Sequence, residues 1–265
     1  MNILYIGDVM ADLGIQAVEH YLPQLRKEHD LDLVIAQAEN TTEGRGITNA
    51  DFARLRAAGV DFCTGGNWTL WRDEINDALS DPDQPIVRPA NYPTGTPGLN
   101  YKYADTPKGK VLVVSLMGQI VGRDADKPMD NPLKKIDQIL TYEKTTPKVG
   151  VVVNLHGDFS SEKVIIGHYL DGRATIVVGD HWHVPTADDR VLPKGTAHQT
   201  DVGMCGALDG SLGITLESVI PRWRDERQTR NVLITDGPVQ FNALLVESDE
   251  TTGLATAVQG LHFSY

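Results

Sequence analysis

Carboxylate, amide and imidazole side chains recur along this sequence as Gly7-Asp8, Glu39-Asn40, Gly66-Asn67, His156 and His181-Trp182-His183. Asp and Glu oxygens, Asn carbonyl oxygens and His nitrogens are together the donors that hard-to-borderline divalent metals take. A carboxylate shared by two such metals about 3.5–4 Å apart is typical of sites that hydrolyse phosphate esters. The pair His181 and His183, two imidazoles separated by one residue after a strand, is the most specific local signal. Asp8, Asn67 or His156 taken singly reads equally well as a turn former, a cap or an ordinary hydrogen-bonded residue. Their joint placement after successive strands carries the expectation of a metal site.

Those side chains need elements to present them. Residues 3–6 read as a buried strand ending at Gly7, and 33–36 and 60–64 as the second and third strands. Between them, Ile15, Val18, Leu22 and Leu25 give helical spacing over 14–28, which Pro23 would kink or divide. Asn49 is placed to cap a helix over 50–58 that stops at Gly59. This alternation predicts βαβ units and a parallel sheet. The Pro- and Gly-rich stretch 81–100 predicts an extended surface excursion. Beyond it, strands are expected at 111–116, 149–153 and 175–178, with helices at 133–142 and 160–170, the latter capped by Ser160 or Ser161. Residues 213–220, 239–247 and 255–262, with a shorter 232–234, then read as strands of a more antiparallel half. The expectation is a single domain over residues 1–265 built from two packed β-sheets flanked by helices. In α/β sheets, ligand groups collect beyond the carboxyl ends of the strands, where the residues above fall.

Composition narrows the partners. The chain has 265 residues, 41% hydrophobic and 23% charged, enough to bury a large core. Its net charge of −12 opposes binding to long nucleic acid, which needs a basic face. A small anionic substrate stays compatible, because bound cations invert the local field. Cys63 and Cys205 form no CxxC pair and read as small buried residues. Residues 1–8 run directly into a strand pattern without the features of a signal peptide. No stretch of about 18 apolar residues is present to span a membrane. The expected location is the cytoplasm, with no membrane partner; a homo-oligomer stays open.

In order, the motifs Ile6-Gly7-Asp8, Ala38-Glu39-Asn40, Gly66-Asn67, Asn154-Leu155-His156 and Gly179-Asp180-His181-Trp182-His183-Val184-Pro185-Thr186-Ala187-Asp188 resemble those of the YmdB-like metallophosphoesterases. So do Tyr169-Leu170-Asp171-Gly172-Arg173 and Thr200-Asp201-Val202-Gly203-Met204, and the resemblance spans essentially the whole chain. It implies an αββα four-layer sandwich and a binuclear metal centre filled by iron or manganese, with zinc or magnesium as the other options. It also implies hydrolysis of a cyclic nucleotide or a related small phosphodiester by attack of a metal-bound hydroxide. Carried over by motif, Asp8, Glu39 and His183 hold one metal. Glu39, Asn67, His156 and His181 hold the other, with Glu39 bridging, and Asn40 contacts the phosphate.

The pattern departs at Trp68, where the family has a histidine that binds the phosphate and protonates the leaving oxygen. An indole N–H donates a hydrogen bond but has no useful pKa, and general acid catalysis is worth about 10²–10⁴-fold. Two functions of different class follow. One is a phosphodiesterase with weakened acid catalysis, in which His168 or His198 could stand in. The other is a catalytically degenerate, metal-containing nucleotide-binding or regulatory protein. Trp68 and Trp182 flank the implied ligands, where they wall the pocket against water or offer a face to a nucleobase. Asp12 reads as a helix cap or a residue facing the site. Asp171 and Arg173 read as turn residues, and His20, His29 and His262 as surface or packing residues.

Overall fold

Apolar residues in the early strands occupy both faces, as expected for strands covered on two sides. In the computed structural model, which describes residues 1–122 and 125–265, the chain forms β1 (Asn2–Ile6), β2 (Asp8–Val9), α1 (Ala11–Glu28), β3 (Leu33–Gln37), α2 (Asn49–Ala58), β4 (Phe62–Thr64), a 3-10 turn (Asp73–Ile75) running into α3 (Asn76–Ser80), β5 (Tyr101–Thr106), β6 (Gly109–Met117) and α4 (Pro132–Tyr142). There follow β7 (Gly150–His156), α5 (Ser160–Tyr169), β8 (Ile176–Asp180), β9 (Arg190–Val191), β10 (Ala197–Gln199), β11 (Met204–Ala207), α6 (Leu216–Asp225), β12 (Val239–Asp249) and β13 (Leu254–Ser264).

Two mixed sheets result. The seven-stranded sheet runs β2-β11-β12-β1-β3-β4, with β13 on the other edge of β12; the six-stranded sheet runs β5-β6-β7-β8-β10-β9. Strands β1, β3 and β4 are parallel, as are β6, β7, β8 and β10. The period-2 alternation of side chains sets the layers. Ile3, Tyr5, Leu33, Ile35 and Phe62 face Val111, Val113, Val152, Ile176 and Val178 in the layer between the sheets. The intervening Leu4, Ile6, Val34 and Ala36 pack under Ile15, Val18 and Leu22 of α1 and Leu55 of α2. On the far side, Leu112, Val114, Val153 and Leu155 pack under Ile136 and Ile139 of α4 and Ile166 of α5. The fold is thus the αββα four-layer sandwich.

Several local expectations are corrected. Residues 213–220 are not a strand: helix α6 begins at Leu216, because the spacing of Leu216, Val219 and Trp223 is helical and only Val219 turns inward. Residues 232–234 contribute one isolated bridge, Ile214 to Leu233. The stretch 81–100 is irregular but not superficial. Ile86, Val87, Arg88, Ala90 and Asn91 are buried, with bridges from Ile86 to Cys63 and from Pro89 to Ser115. Thr48, not Asn49, caps α2, its hydroxyl accepting from the Asp51 N–H, and Gly59 ends the helix at φ +107°. Phe159 precedes α5 without a side-chain cap, so Ser160 and Ser161 are its first residues. Pro23 lies inside a continuous α1. Cys63 and Cys205 are buried and unpaired. Among the described residues, no helix is long and apolar enough to cross a membrane.

The intersheet layer gives a direct test of this packing. Ile35 is fully buried in it, and Ile35→Ala should cost about 2–5 kcal/mol of unfolding free energy. Urea unfolding followed by circular dichroism measures it; an unchanged midpoint would place Ile35 outside the packed layer.

Candidate metal centre

Strand β1 ends at Gly7, where the chain leaves β12 and pairs through β2 with β11. Gly7 is required there, since a Cβ would lie 2.1 Å from the Gly203 carbonyl oxygen. This switch places Asp8 at the rim. Glu39 and Asn40 follow the end of β3 and Asn67 follows β4, all in the same sheet. From the other sheet come His156, the last residue of β7, and His181 and His183, just beyond β8. The carboxyl ends of parallel strands from both sheets therefore meet along one rim.

The centre of the cluster is His156, whose side chain is fully buried. Its Nδ1 lies 2.7 Å from Asp180 Oδ1. Its Nε2 faces Asn67 Oδ1 at 2.8 Å and Glu39 Oε1 at 2.9 Å. Glu39 Oε1 is buried and has no hydrogen-bond partner, while Glu39 Oε2 accepts from the Trp68 N–H at 2.7 Å. If Nδ1 donates to Asp180, Nε2 presents a lone pair to two oxygens with no proton among them. Such a convergence is repulsive unless a second proton on Nε2 or a metal cation sits among these atoms. Glu39, His156 and His181 bring their ligand atoms within 4.8 Å of one another, and the His156 and His181 rings lie 4.5 Å apart. The donor set fits a metal bound by Glu39, Asn67, His156 and His181.

A second group lies alongside. Asp8 Oδ1 is 3.4 Å from the Asn40 amide nitrogen and 3.8 Å from His183 Nε2. Asn40 Nδ2 is 3.4 Å from that same Nε2. Asp8 Oδ2 accepts from the His181 N–H at 3.0 Å. These oxygen and nitrogen donors, with Glu39, could hold a second cation.

The electrostatics match this reading. Burial opposes charge on His156, yet Glu39 and the hydrogen bond to Asp180 hold its pKa well above the usual imidazole value. Burial, then the Asp180 charge, pushes Asp8 well above the ordinary carboxylate range. Burial, reinforced by His156, drives His181 down to about 2 and His183 down to about 4. The last two rings are neutral at physiological pH, the form that ligates metals. His181 and His183 also adopt left-handed φ of +103° and +63°, a strain seen where surrounding structure fixes functional groups. The Asp8 contact to the His181 N–H and the 3.0 Å bond from the Trp182 N–H to Asp201 hold that backbone.

Three supporting features have no role assigned from the sequence, although Gly66, Asp180 and Asp201 stand in its motifs. Asp180 gathers Tyr5 Oη at 2.9 Å, Asn154 Nδ2 at 3.0 Å and Gln37 Nε2 at 3.3 Å around one carboxylate oxygen, leaving the other for His156. Lys163 and Asp201 form a fully buried ion pair at 2.8 Å, with the Lys163 ammonium 4.0 Å from the Trp182 ring centre. Gly66 packs its backbone on the cluster: a Cβ there would come within 2.4 Å of the His156 ring and 2.6 Å of Glu39 Oε2. The signals were present as a polar residue ending β8, a lysine inside an amphipathic helix and a paired glycine.

The cluster opens into a groove of about 1080 Å³ lined by Asn40, Arg45, Trp68, Asp158, His181, Trp182 and His183, among others. Trp182 donates its indole N–H to the Asp158 carbonyl at 3.0 Å. All nine positions expected at the site come together: Asp8, Glu39, Asn40, Asn67, Trp68, His156, His181, Trp182 and His183. Others do not. Asp12 pairs with Arg54 on the helix surface. His198 is buried beneath Gly167, its Nδ1 2.8 Å from the Val177 carbonyl oxygen, and His168 is exposed on α5. Neither histidine lines the groove, so neither replaces an acid there. Asp171 receives the Lys194 N–H and Arg173 pairs with Asp137, away from the cluster.

Comparisons with known proteins identify the family and the fold. A model of the YmdB-like protein family matches residues 4–261. A 2′,3′-cyclic-nucleotide 2′-phosphodiesterase of Bacillus subtilis (strain 168) is 37% identical over 260 residues, covering 98% of this chain and 96% of that protein. A crystal structure of a hypothetical protein from Thermus thermophilus superimposes with a TM-score of 0.89 at 36% identity, covering 100% of this chain and 99% of the other. A crystal structure of a novel phosphatase from Mycoplasma pneumoniae gives 0.91 at 28% identity, with 100% and 93% covered.

Two outcomes are expected. Asp180→Asn should lower metal affinity by about 10–100-fold, as removal of a partner that orients a ligating histidine does, read by chelator competition on folded protein; unchanged affinity would remove Asp180 from the site. Metal loading should also release protons. With its pKa raised, His156 is charged at pH 7 in the metal-free protein and must give up its proton to ligate, so affinity tightens as pH rises. Calorimetric heats that do not vary with buffer ionisation enthalpy would contradict this.

Proposed function

This chain belongs to the YmdB-like protein family, and on that premise we propose that it is a metal-dependent phosphodiesterase acting on 2′,3′-cyclic nucleotides or a closely related small phosphodiester. The observation that carries the reading is the convergence of Glu39 Oε1, His156 Nε2 and Asn67 Oδ1 in a buried cluster beside His181. In this assignment Glu39, Asn67, His156 and His181 would hold one metal and Asp8, Glu39 and His183 the other. Iron or manganese suits the mixed oxygen and nitrogen set; zinc also accepts it, and magnesium matches the imidazoles less well. Metals bound there would supply a nucleophilic oxygen at neutral pH and neutralise charge building on the phosphate.

The chain's own groups do the rest. The Asn40 amide, 3.4 Å from both Asp8 and His183, orients a phosphate oxygen. Trp182, fixed by its bond to Asp158 and by Lys163 below its ring, walls the groove and excludes water from one side. Water adds to phosphorus, the bond to O2′ breaks, and O2′ takes a proton from solvent in the groove, leaving a nucleoside 3′-monophosphate. Trp68 offers no proton of suitable pKa. A five-membered cyclic phosphate suits such a site, because opening its strained ring reduces the need for an acid. The negative chain charge argues against long nucleic acids as substrate.

Trp68 supports one second reading, a protein that keeps the metals and binds a nucleotide without turning it over. Hydrolysis of 2′,3′-cyclic AMP by manganese-loaded protein separates the two. Turnover is expected, and His156→Ala should reduce it by more than the range of about 10–100-fold typical of outer-shell partners, roughly 10³-fold or beyond. Binding without turnover, with activity appearing in Trp68→His, would establish the second reading instead.

A further inference from the structure

The position of Trp68 raises the question of what its ring does. Its backbone N–H is bound to Glu39 at 2.7 Å, so the side chain starts at the edge of the metal cluster. The ring packs edge-on against Trp71, 5.1 Å between centroids. Over the two indoles lies the Arg45 guanidinium, 4.7 Å from the Trp68 centroid and 5.8 Å from that of Trp71. Arg45 is half-buried and lines the same groove as Asn40, His181 and His183.

Among the described residues, no carboxylate forms an ion pair with Arg45; the adjacent Glu43 carboxylate is engaged by Arg72 at 2.8 Å. The Arg45 backbone is nevertheless fixed. Arg72 Nε donates to the Arg45 carbonyl at 3.1 Å, and the Thr42 N–H donates to the Gly46 carbonyl at 3.0 Å. Gly44 and Gly46 take the positive φ values, +74° and +77°, that the tight loop requires. An indole face orients a guanidinium and leaves its N–H edges free to donate. A half-buried guanidinium on the wall of this groove, with no carboxylate ion-pair partner among the described residues, is placed to donate to an anionic oxygen there.

We propose that Arg45, stacked on Trp68 and Trp71, binds a non-bridging oxygen of the substrate phosphate and stabilises the developing negative charge as the ester oxygen leaves. The proposal rests on the phosphodiesterase reading for its substrate. In it, Trp68 is a positioning residue: it supplies no proton but holds a permanent cation where a titrating ring would otherwise act. Arginine keeps its charge across the working pH range, so this contact moves no proton and leaves proton delivery to water.

The test uses manganese-loaded full-length protein and two probes, adenosine 3′-monophosphate for binding and 2′,3′-cyclic AMP for turnover. Arg45→Met keeps a flexible apolar chain on the indoles but removes the charge. It should weaken monophosphate binding by about 10–100-fold, the range for a lost charged hydrogen bond, and lower kcat/KM at least as much. Arg45→Lys should recover part of both, and Trp68→Ala, which frees the guanidinium, should fall between Arg45→Met and wild type. Binding and kcat/KM within about twofold of wild type in folded Arg45→Met, well short of a lost charged hydrogen bond, would overturn the proposal while leaving the phosphodiesterase reading intact. Loss of monophosphate binding in Arg45→Met, with no turnover even in wild type, would retain the anion contact and sink the reading it was built on. Arg45→Ala, checked for fold by circular dichroism, guards against a packing effect of the methionine, and normal binding in it would equally overturn the proposal.

Discussion

Asp8, Glu39 and Asp180 are buried carboxylates within one strand-end rim, and their mutual repulsion is the constraint around which the site is arranged. Moving carboxylates out of water is costly unless positive charge or hydrogen-bond donors compensate. Asp180 receives donors from Tyr5, Asn154 and Gln37 as well as His156, and His156, followed by the Lys163 charge and the Tyr5 hydroxyl, holds it below its usual pKa despite burial. Asp8 and Glu39 are less well served. Asp8 has the His181 N–H and the Asn40 amide, and Glu39 has the Trp68 N–H with one oxygen left over. In the metal-free protein a charged His156 supplies the missing cation. Metal ions would supply more, at the place where the unsatisfied oxygen and nitrogen atoms already point.

The same charge argument explains why the surrounding packing is so specific. Gly66 brings backbone against the His156 ring, and Gly7 lets β1 hand over to β2 against Gly203. Either position with a side chain would push a ligand out of register. Lys163 and Asp201 bury opposite charges of their own under Trp182. Removing one partner of such a pair leaves an uncompensated charge, so the pair ties the loop carrying His181 and His183 to α5.

Much of this was legible in the sequence because apolar runs and ligand types obey local rules. The strands that deliver Asp8, Glu39 and His156 show as unbroken apolar runs ending in Gly or a polar residue. The helices over β3 and β7 show as 3.6-residue spacing. What was not legible depended on tertiary context. Residues 213–220 contain enough β-branched side chains to read as strand, yet Ile214 and Val219 are the two that pack with Met10 and Met204, and the segment is helical from Leu216 onward. The Pro-rich stretch near Ile86 lacks a strand pattern because its hydrogen bonds go to single bridges between the two sheets. Asp180 adjoined a recognised pair of histidines, but its role arises only from four partners supplied by β1, β3 and β7. Arg45 carried no motif at all; only the fold shows that it lies across Trp68.

The two sheets contribute different chemistry. Oxygen donors Asp8, Glu39 and Asn67, with the Asn40 amide, come from the seven-stranded sheet, whereas all three imidazoles follow strands of the six-stranded sheet. Between the sheets the core is largely apolar, with directional contacts such as Tyr5 to Asp180 and Ser115 to the Gly65 carbonyl joining the two. A cation shared by carboxylates of one sheet and imidazoles of the other would pin the two sheets at the rim, because metal–ligand distances vary far less than apolar contacts do. Binding free energy at the rim is then also folding free energy for the sandwich. On the proposed function, the geometry needed to hold a phosphate and the register of the two sheets would be one requirement on the same few side chains.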